Sequence, residues 1–409
     1  MAETGRQCVR CQKHFAPSSA AWTCDSCGGN LDVLYDYDEI RSKFRPRDVL
    51  GEGASLWRFA PLLPFHDNPP PLAVGGTPLH ALSTLGRRYG CPNLFAKDDS
   101  RNPTGSLKDR ASAMAVVHAA FVKRSVLACA STGNAASALA GMCASAGRQS
   151  VIFVPEATPS GKLAQILAFG AYLIRVKGTY DDAFDLAEQA SAKFSWYNRN
   201  TGTNPYLAEG KKTVAFEIAE QLGWRAPDWV VVPVGDGNII GSVFKGFDEL
   251  TRIGWTEHMP RLVAVQADGS SAIADALAGD GVVRPASGRT VADGIAVGMP
   301  RDPDKALRAI RSSNGLALKL PDEALLDAQR LLARSTGLFV EPAAAASFAG
   351  FIRLVEEGRL REQDTVVLLL TGSGLKAPQS ILDRVPLPPA EPPQLEAVSE
   401  RLRREPLHV

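Results

Sequence analysis

Residues 126–154 read VLACASTGNAASALAGMCASAGRQSVIFV, and this segment indicates the fold class most clearly. Two short apolar runs, 126–130 and 150–154, flank a segment with helical spacing over 134–146. Gly147 stands where a helix C-terminal cap is expected, because glycine adopts the left-handed conformation that commonly ends a helix. The order strand, helix, strand predicts a parallel β-α-β unit, whose strands are apolar along their length because helices cover both faces of the sheet.

The same alternation of strand and helix patterns continues on both sides of this unit. From about residue 93 onward, short apolar runs bounded by turn residues alternate with longer helical patterns. The chain is therefore predicted to be an α/β protein with two lobes, each built on a mostly parallel sheet covered by helices. The predicted strands lie at 93–97, 126–130, 150–154, 172–176, 229–234, 262–266, 316–320 and 365–370, and the predicted helices lie at 106–124, 134–146, 160–169, 180–193, 208–222, 238–251, 322–335 and 343–357.

Length and breaks in the pattern predict the domain organisation. A chain of 409 residues is long enough for two large domains and a small appendage. Residues 386–394, PLPPAEPPQ, read as a Pro-rich linker. The predicted divisions are a small N-terminal element at 1–35, a large domain made of 36–125 and 200–385, a smaller substrate lobe at 126–199, and a linker with a C-terminal tail at 386–409.

Composition argues against several classes of partner. The 45 Lys and Arg residues nearly balance the 44 Asp and Glu residues, so a net charge of +1 gives no overall field that would attract nucleic acid. The opening MAETGRQCVRC is polar where a secretory signal needs an apolar stretch, and the longest apolar strand-like run, 366–370, is far too short to span a bilayer. We therefore expect a cytoplasmic protein with neither nucleic acid nor membrane as partner.

Four cysteines crowd into the first 30 residues. Cys8, Cys11, Cys24 and Cys27 form two C-x2-C pairs separated by twelve residues. Two such pairs bring four thiolates together in a tetrahedron, which predicts a zinc site, and four protein ligands make such a site structural rather than catalytic. A metal-free redox or vestigial cluster is the alternative, and His14, between the pairs, is a candidate replacement ligand.

Residues 98–110, DDSRNPTGSLKDR, place a lysine just past a Pro-Thr-Gly-Ser turn at the start of an apolar helix. Burying a lysine is costly, and desolvation lowers its pKa so that the neutral amine becomes available to form a Schiff base with a carbonyl. Lys108 is therefore the candidate catalytic residue. The alternative from this segment alone is a solvated first-turn lysine paired with Asp109.

Three glycine-containing turns each follow a predicted strand. CASTGNAA at 129–136 places hydroxyl groups and main-chain amides at a helix N-terminus, which suits a carboxylate. VVPVGDGNIIGS at 231–242 suits a phosphate for the same reason, although it lacks the Lys-Ser/Thr ending of a nucleotide P-loop. LLLTGSGLK at 368–376 delivers Thr371 and Ser373 to a third turn. Each turn alone is a weak indication, because such turns are common in α/β proteins.

Taken in this order, the motifs resemble those of the fold type II pyridoxal 5′-phosphate (PLP) enzymes, most closely the threonine-synthase-like group. The resemblance runs from GGTPL at Gly75 to about Pro378, and it includes EGKKTVAFEI at 209–218 and TGLFVEPAAAA at 336–346. A zinc-ribbon-like N-terminal extension is also familiar in this group. The resemblance implies a PLP-dependent lyase, commonly a homodimer, that eliminates phosphate from O-phosphohomoserine and adds water to give L-threonine.

The resemblance also implies roles for individual residues. Lys108 would hold PLP covalently and shuttle protons, Asn134 would meet the pyridoxal 3′-oxygen, and Thr371 would face the pyridine nitrogen. A hydroxyl at that place cannot keep the nitrogen protonated, which suits eliminations and replacements better than transamination. The cofactor phosphate would rest on Gly235, Asp236, Gly237, Asn238 and Ile239, and the substrate carboxylate on Ser131, Thr132 and Gly133.

The chain departs from the family pattern around the substrate. Threonine synthases usually carry Thr or Ser where this chain has Ala135, and Asn-Ser where it has Thr201 and Gly202. They usually carry an arginine, which helps to hold the substrate phosphate, where this chain has Leu207. Arg199 and Lys211 lie close in sequence and are candidates to substitute for the missing arginine. Otherwise the reaction would be a β-elimination or β-replacement on serine, threonine or phosphoserine, as in dehydratases or cysteate synthase. A zinc-ribbon interaction or sensor protein without activity is a further alternative.

Overall fold

The computed structural model describes residues 3–49 and 55–405, which form three β-sheets and the helices around them. The predicted α/β class is confirmed. The strands are β1 (Gly5–Cys8), β2 (His14–Phe15), β3 (Leu31–Leu34), β4 (Leu79–Ala81), β5 (Leu94–Asp98), β6 (Val126–Ala130), β7 (Gln149–Pro155), β8 (Tyr172–Val176), β9 (Tyr197–Asn198), β10 (Trp229–Pro233), β11 (Arg261–Ala267), β12 (Leu316–Leu320) and β13 (Val366–Leu370). The helices are α1 (Tyr37–Lys43), α2 (Ser83–Arg88), α3 (Lys108–Phe121), α4 (Asn134–Ser145), α5 (Ser160–Ala168), α6 (Tyr180–Phe194), α7 (Tyr206–Gln221), α8 (Asn238–Arg252), α9 (Ala272–Ala278), α10 (Pro303–Ser312), α11 (Asp322–Thr336), α12 (Pro342–Glu356), α13 (Gln379–Leu382) and α14 (Leu395–Arg404).

The largest sheet has the strand order β12-β11-β10-β13-β5-β4, and its pairs are parallel except for β4 with β5. Successive residues of its central strand β10 point to opposite faces. Val230 and Val232 pack in the core shared with α7 and α8, whereas Val231 packs in the core shared with α12. Both faces are thus buried, which is why this strand is apolar along its whole length.

The second sheet is fully parallel, with the order β8-β7-β6-β9, and lies within residues 126–198. Leu127 and Cys129 of β6 face the core that contains α4, whereas Ala128 and Ala130 pack with Phe184 of α6. Helices therefore cover both faces of this sheet as well. The predicted lobe at 126–199 follows the sheet, while the division into domains stays a prediction.

The N-terminal ribbon, residues 3–34, contains the small antiparallel sheet β2-β1-β3. It packs on two helices of the largest sheet. The Lys245 ammonium of α8 donates to the Val33 carbonyl oxygen at 2.7 Å, and Lys305 of α10 pairs with Asp32 at 3.0 Å. The ribbon is therefore bound to the helices that follow β10 and precede β12.

The elements differ from the sequence predictions at identifiable places. The helix predicted from residue 106 begins at Lys108, because Leu107 donates its main-chain N–H to the Thr371 carbonyl oxygen at 2.9 Å and Ser106 bridges to Gly372. Helices α9 and α10 and the short strands β4 and β9 were not predicted, and α14 forms within the tail. Within residues 3–49 and 55–405, none of the helices is both long and apolar enough to cross a membrane.

Candidate active site

An open cleft of about 2210 Å³ lies where β6, β10 and β13 end. Parallel strands bring their carboxyl ends to one edge of a sheet, and α/β enzymes place their ligands at that edge. Turns that are more than 200 positions apart in the sequence therefore meet here. The predicted cofactor and substrate residues all line the cleft: Lys108, Ser131, Thr132, Gly133, Asn134, Gly235, Asp236, Gly237, Asn238, Ile239 and Thr371.

Lys108 is the first residue of α3 and is half-buried in the wall of the cleft. Burial and the neighbouring positive charge of Arg199 lower the pKa of Lys108 to about 8. Asp109, its partner in the solvated alternative, accepts a hydrogen bond from the main-chain N–H of Thr104 at 2.7 Å instead. Asp109 is therefore not the partner of the amine, and more of the amine is neutral near pH 7 than in an ordinary lysine, as nucleophilic attack requires.

The turn at 131–133 leads directly into the N-terminus of the twelve-residue helix α4. The Gly133 main-chain N–H donates to the Ser131 hydroxyl oxygen at 3.2 Å, which closes the turn. Free N–H groups and the helix dipole at such an end favour an anion. The geometry therefore suits the predicted role of binding a carboxylate.

Asn134 is held by a residue that the sequence patterns do not single out. Its Nδ2 donates to Oε1 and Oε2 of Glu341 at 2.8 and 3.1 Å, across 207 positions of the chain. Glu341 is buried at the start of α12, where its main-chain N–H donates to the Gly372 carbonyl oxygen at 3.0 Å, and burial raises the pKa of its carboxyl. Although TGLFVEPAAAA contains Glu341, only the folded chain shows that it orients Asn134.

The turn at 235–239 is built for close approach of a ligand to its main chain. Gly237 has φ +91°, and a Cβ there would lie 2.6 Å from the Asp302 carbonyl oxygen, so only glycine fits. Asn238, the first residue of α8, donates from Nδ2 to Asp302 Oδ2 at 2.6 Å and accepts a hydrogen bond from Lys211. The turn thus offers helix N-terminal amides with an ammonium group beside them, a combination that suits a phosphate.

Arg199 and Lys211 add two fully buried basic side chains to the cleft. Arg199 donates from Nε to the Ser112 hydroxyl at 3.1 Å, whereas Nη1 and Nη2 have no hydrogen-bond partner in the part of the chain that the structure describes. Burial lowers the pKa of both groups. Because an unpaired buried charge is costly, an anionic ligand fits this place. Leu207, by contrast, packs in the core and is not among the cleft residues.

These residues fit PLP. The Lys108 amine matches its aldehyde, the turn at 235–239 with Lys211 matches its phosphate, and the Thr371 hydroxyl at the end of β13 matches its ring nitrogen. The doubly charged PLP phosphate would also offset positive charge on the buried side chains of Arg199 and Lys211. The fit rests on chemically different groups from three separate turns and from α7, so it does not depend on any single motif.

The four N-terminal cysteines also converge. Their Sγ atoms all lie within 4.8 Å of one another, with Cys8 to Cys27 and Cys11 to Cys24 both at 3.5 Å. Tetrahedral zinc–thiolate bonds of about 2.3 Å place sulfur atoms about 3.8 Å apart, so the cluster has the dimensions of a zinc site. His14 lies outside this group, where its ring contacts Gln7.

Comparisons with known proteins agree with this geometry. The model of the family described as pyridoxal-phosphate dependent enzyme matches residues 71–372. The chain is 38% identical to a threonine synthase of Methanocaldococcus jannaschii, covering 92% of this chain and 94% of that protein, and 39% identical to one of Methanosarcina acetivorans, covering 97% and 98%. Among solved structures it is similar to a tomato threonine deaminase, with a TM-score of 0.62 and 21% identity, covering 73% of this chain and 83% of that one. It is also similar to a maize serine racemase, with a TM-score of 0.63 and 19% identity, covering 80% of this chain and 92% of that one. Both similarities support the fold. Fold, cleft and relatives agree, and the chain belongs to the pyridoxal-phosphate dependent enzymes.

Proposed function

We propose that the chain forms L-threonine from O-phosphohomoserine by eliminating phosphate and adding water. Similarity to threonine synthases over most of the chain supports this proposal, as does a cleft that gathers the expected residues. The observation that carries the substrate assignment is the buried guanidinium of Arg199, whose Nη1 and Nη2 are unpartnered within the described ranges. Such a group calls for an anion that serine and threonine do not carry.

Counting the anions of the reacting system supports a phosphorylated substrate. The α-carboxylate of any amino acid is accounted for by the turn at 131–133, and the cofactor phosphate by the turn at 235–239 with Lys211. Arg199 remains, close enough to Lys108 for its charge to lower the pKa of that amine. A phosphate ester on the substrate side chain would satisfy the planar guanidinium with two parallel hydrogen bonds.

Arg199 is proposed to replace the arginine that related enzymes carry at the position of Leu207. Leu207 is 0% exposed and packs in the core, so this position does not present a charge to the cleft. Arg199 reaches the cleft from the loop after β9, and its Nε is already fixed by Ser112. The site would keep its anion-binding chemistry although the residue that supplies it has changed.

The remaining residues have proposed roles at defined atoms. PLP, when bound, supplies an electron sink for the charge that develops at the substrate Cα. The Lys108 amine, whose pKa is lowered to about 8, takes the Cα proton and returns protons to the product. Glu341 holds the Asn134 amide in one orientation, and Arg199 stabilises the charge that grows on the departing phosphate.

A substrate panel tests the proposed reaction. The purified, PLP-loaded protein is given O-phosphohomoserine, O-phosphoserine, serine and threonine, and the release of phosphate, L-threonine, 2-oxo acid and ammonia is measured. We expect equal amounts of phosphate and L-threonine from O-phosphohomoserine. If that substrate yields neither product, the proposal fails. Release of 2-oxo acid and ammonia from the smaller substrates would then support the second candidate, a β-elimination or β-replacement, which Ala135 and Leu207 favour.

We also propose that the four cysteines hold one structural zinc ion. The short Sγ–Sγ distances support this, and a closed set of four ligands leaves no position for a substrate. Elemental analysis of purified protein should find one zinc per chain, and Cys24→Ser should reduce that content. Zinc-free protein with four reactive thiols would favour the redox or vestigial alternative.

The assembly and location are proposals of the same kind. We propose a cytoplasmic homodimer that acts on a small amino-acid substrate and binds neither nucleic acid nor membranes, with the domain division predicted from the sequence. Light scattering coupled to size-exclusion chromatography would give the assembly directly. A mass of one chain would contradict the dimer.

A further inference from the structure

The N-terminal ribbon contacts helix α10, which lies behind the turn at 235–239. Arg10 pairs with Asp304 at 2.9 Å, and Lys305 donates to the Leu31 carbonyl oxygen at 2.8 Å. These contacts fix α10 against the ribbon. Since α10 follows directly after Asp302, the ribbon lies next to the residue that supports the turn.

Asn30 extends this interface to the turn itself. Its side-chain Nδ2 donates to the Arg301 carbonyl oxygen at 2.9 Å and to Asp302 Oδ1 at 2.6 Å. The other oxygen of that carboxylate, Oδ2, accepts from Asn238 Nδ2 at 2.6 Å, and the Asp302 main-chain N–H donates to the Asp236 carbonyl oxygen at 2.9 Å. One buried carboxylate thus joins the ribbon to the turn.

This connection also fixes the orientation of the Asn238 amide. Its Nδ2 faces the Asp302 carboxylate and its Oδ1 faces the Lys211 ammonium, so a flipped amide would place a donor against a cation and an acceptor against an anion. Asp302 is 1% exposed and depends on the donors around it. Without Asn30, one of its oxygens would lose a donor inside the protein, and the carboxylate would be free to move away from Asn238.

We propose that Asn30 is a positioning residue through which the N-terminal ribbon holds the turn at 235–239 in the geometry that binds the PLP phosphate. The proposal concerns cofactor binding and does not depend on which amino acid reacts. It differs from a purely stabilising role of the ribbon in one measurable way. A stabilising contact changes the unfolding temperature but leaves the PLP affinity of the folded protein unchanged, whereas a positioning contact changes that affinity.

PLP titration of the apoprotein tests the proposal. Asn30→Ala removes the donor to Asp302, and Arg10→Ala is the matched control, because it removes a contact between the ribbon and α10 without touching Asp302. We expect Asn30→Ala to weaken PLP binding about tenfold and to shift the ³¹P resonance of bound PLP, the size expected for one hydrogen bond to a charged group. Arg10→Ala should stay within about twofold of the unaltered chain, as expected for an exposed ion pair.

The isosteric variant Asn30→Asp is a second test of the same hydrogen bond, which remains informative if the alanine variant does not fold. It keeps the side-chain volume but faces Asp302 with an acceptor, so it should weaken PLP binding at least as much as Asn30→Ala. Far-UV circular dichroism and zinc content are recorded for every variant. If both Asn30 variants bind PLP with the unaltered affinity, or if Arg10→Ala weakens binding as much as they do, the proposal is wrong.

Discussion

Arg199 is the side chain to which we assign the proposed preference of the cleft for a phosphorylated substrate. Arg199 is 0% exposed, and of its side-chain donors only Nε makes a hydrogen bond within the described ranges. Burying an unpaired guanidinium lowers the stability of the free protein, and such groups are kept where a ligand needs them. Removing the charge should therefore harm catalysis and spare or improve stability.

Arg199→Met tests whether loss of this charge lowers catalysis without lowering stability. We expect kcat/KM for O-phosphohomoserine to fall roughly 30-fold or more, the kinetic equivalent of about 2 kcal/mol or more for a lost buried charge pair. The unfolding temperature of the free protein should not fall, because an unpaired buried charge is replaced by an apolar chain of similar length. Arg199→Lys serves as the control that keeps the charge and should lose less activity. Unchanged kinetics with weaker PLP binding would instead assign Arg199 to the cofactor.

His118 makes the stability of the fold sensitive to acid. It is buried with its Nδ1 2.8 Å from the Tyr197 hydroxyl, and its ring stacks on Phe65 at a centroid distance of 4.6 Å. Burial, assisted by the charge of Arg6, lowers the pKa of His118 to about 3 from an ordinary value of 6.5. Between pH 6.5 and about pH 3, His118 therefore binds a proton in the unfolded chain but not in the folded chain.

Stability from the neutral His118 ring is thus fully present above pH 6.5 and is lost as the pH falls toward 3. The slope is at most about 1.4 kcal/mol per pH unit for one proton. We predict that the urea midpoint falls more steeply between pH 7 and pH 4.5 in the unaltered chain than in His118→Gln. Parallel midpoint curves for the two proteins would contradict this prediction.

At the scale of elements, α7 explains why EGKKTVAFEI is so rich in charge although the helix is buried. Lys211 faces the cleft, whereas Lys212 pairs with Glu209 at 2.6 Å and with Glu249 of α8 at 2.8 Å. Further along, Glu217 pairs with Arg110 of α3 at 2.7 Å. The charges hold α7 against its neighbouring helices. The sequence alone does not show which of these side chains faces the cleft and which pairs with another helix.

Arg110→Met should destabilise the junction of α3 and α7. It would leave the carboxylates of Asp99 and Glu217 buried without the guanidinium that pairs with both at 2.7 Å. We expect the free energy of unfolding to fall by about 3–5 kcal/mol, as for other broken buried pairs, measured by urea titration. Lys43→Ala, which removes an exposed pair with Glu39, is the control and should change it by less than about 1 kcal/mol. Equal effects would show that the buried network adds no stability.

The elements that the sequence predicted well are those with a local signal. Strands β6 and β13 lie within one residue of their predicted bounds, because an apolar run between turn residues is sufficient to indicate a buried strand. Helix α10 was missed because its sequence, PDKALRAIRS, is short and has four charged residues among ten. Lys305 within it reads as a surface residue, yet it is buried by contacts with the ribbon 274 positions away.

At the scale of the whole molecule, the cleft depends on contacts between distant parts of the chain. The positions of Lys108, the turn at 235–239 and Thr371 were predictable, because each follows from a strand that ends in a glycine-containing turn. The pairing of Asn134 with Glu341 and the connection from Asn30 to Asp302 were not, because they join residues more than 200 positions apart. Sequence patterns thus indicate which turns can bind, and the fold determines how they are held.

We propose that Lys108, rather than its buried neighbour Lys211, carries the cofactor, and borohydride reduction followed by peptide mass spectrometry distinguishes the two lysines. We predict one pyridoxyl adduct on the peptide that contains Lys108, with loss of the visible absorbance of bound PLP. The adduct should disappear in Lys108→Ala and remain in Lys211→Ala. An adduct on the Lys211 peptide, or an unaltered chain that binds PLP without any adduct, would show that Lys108 does not hold the cofactor.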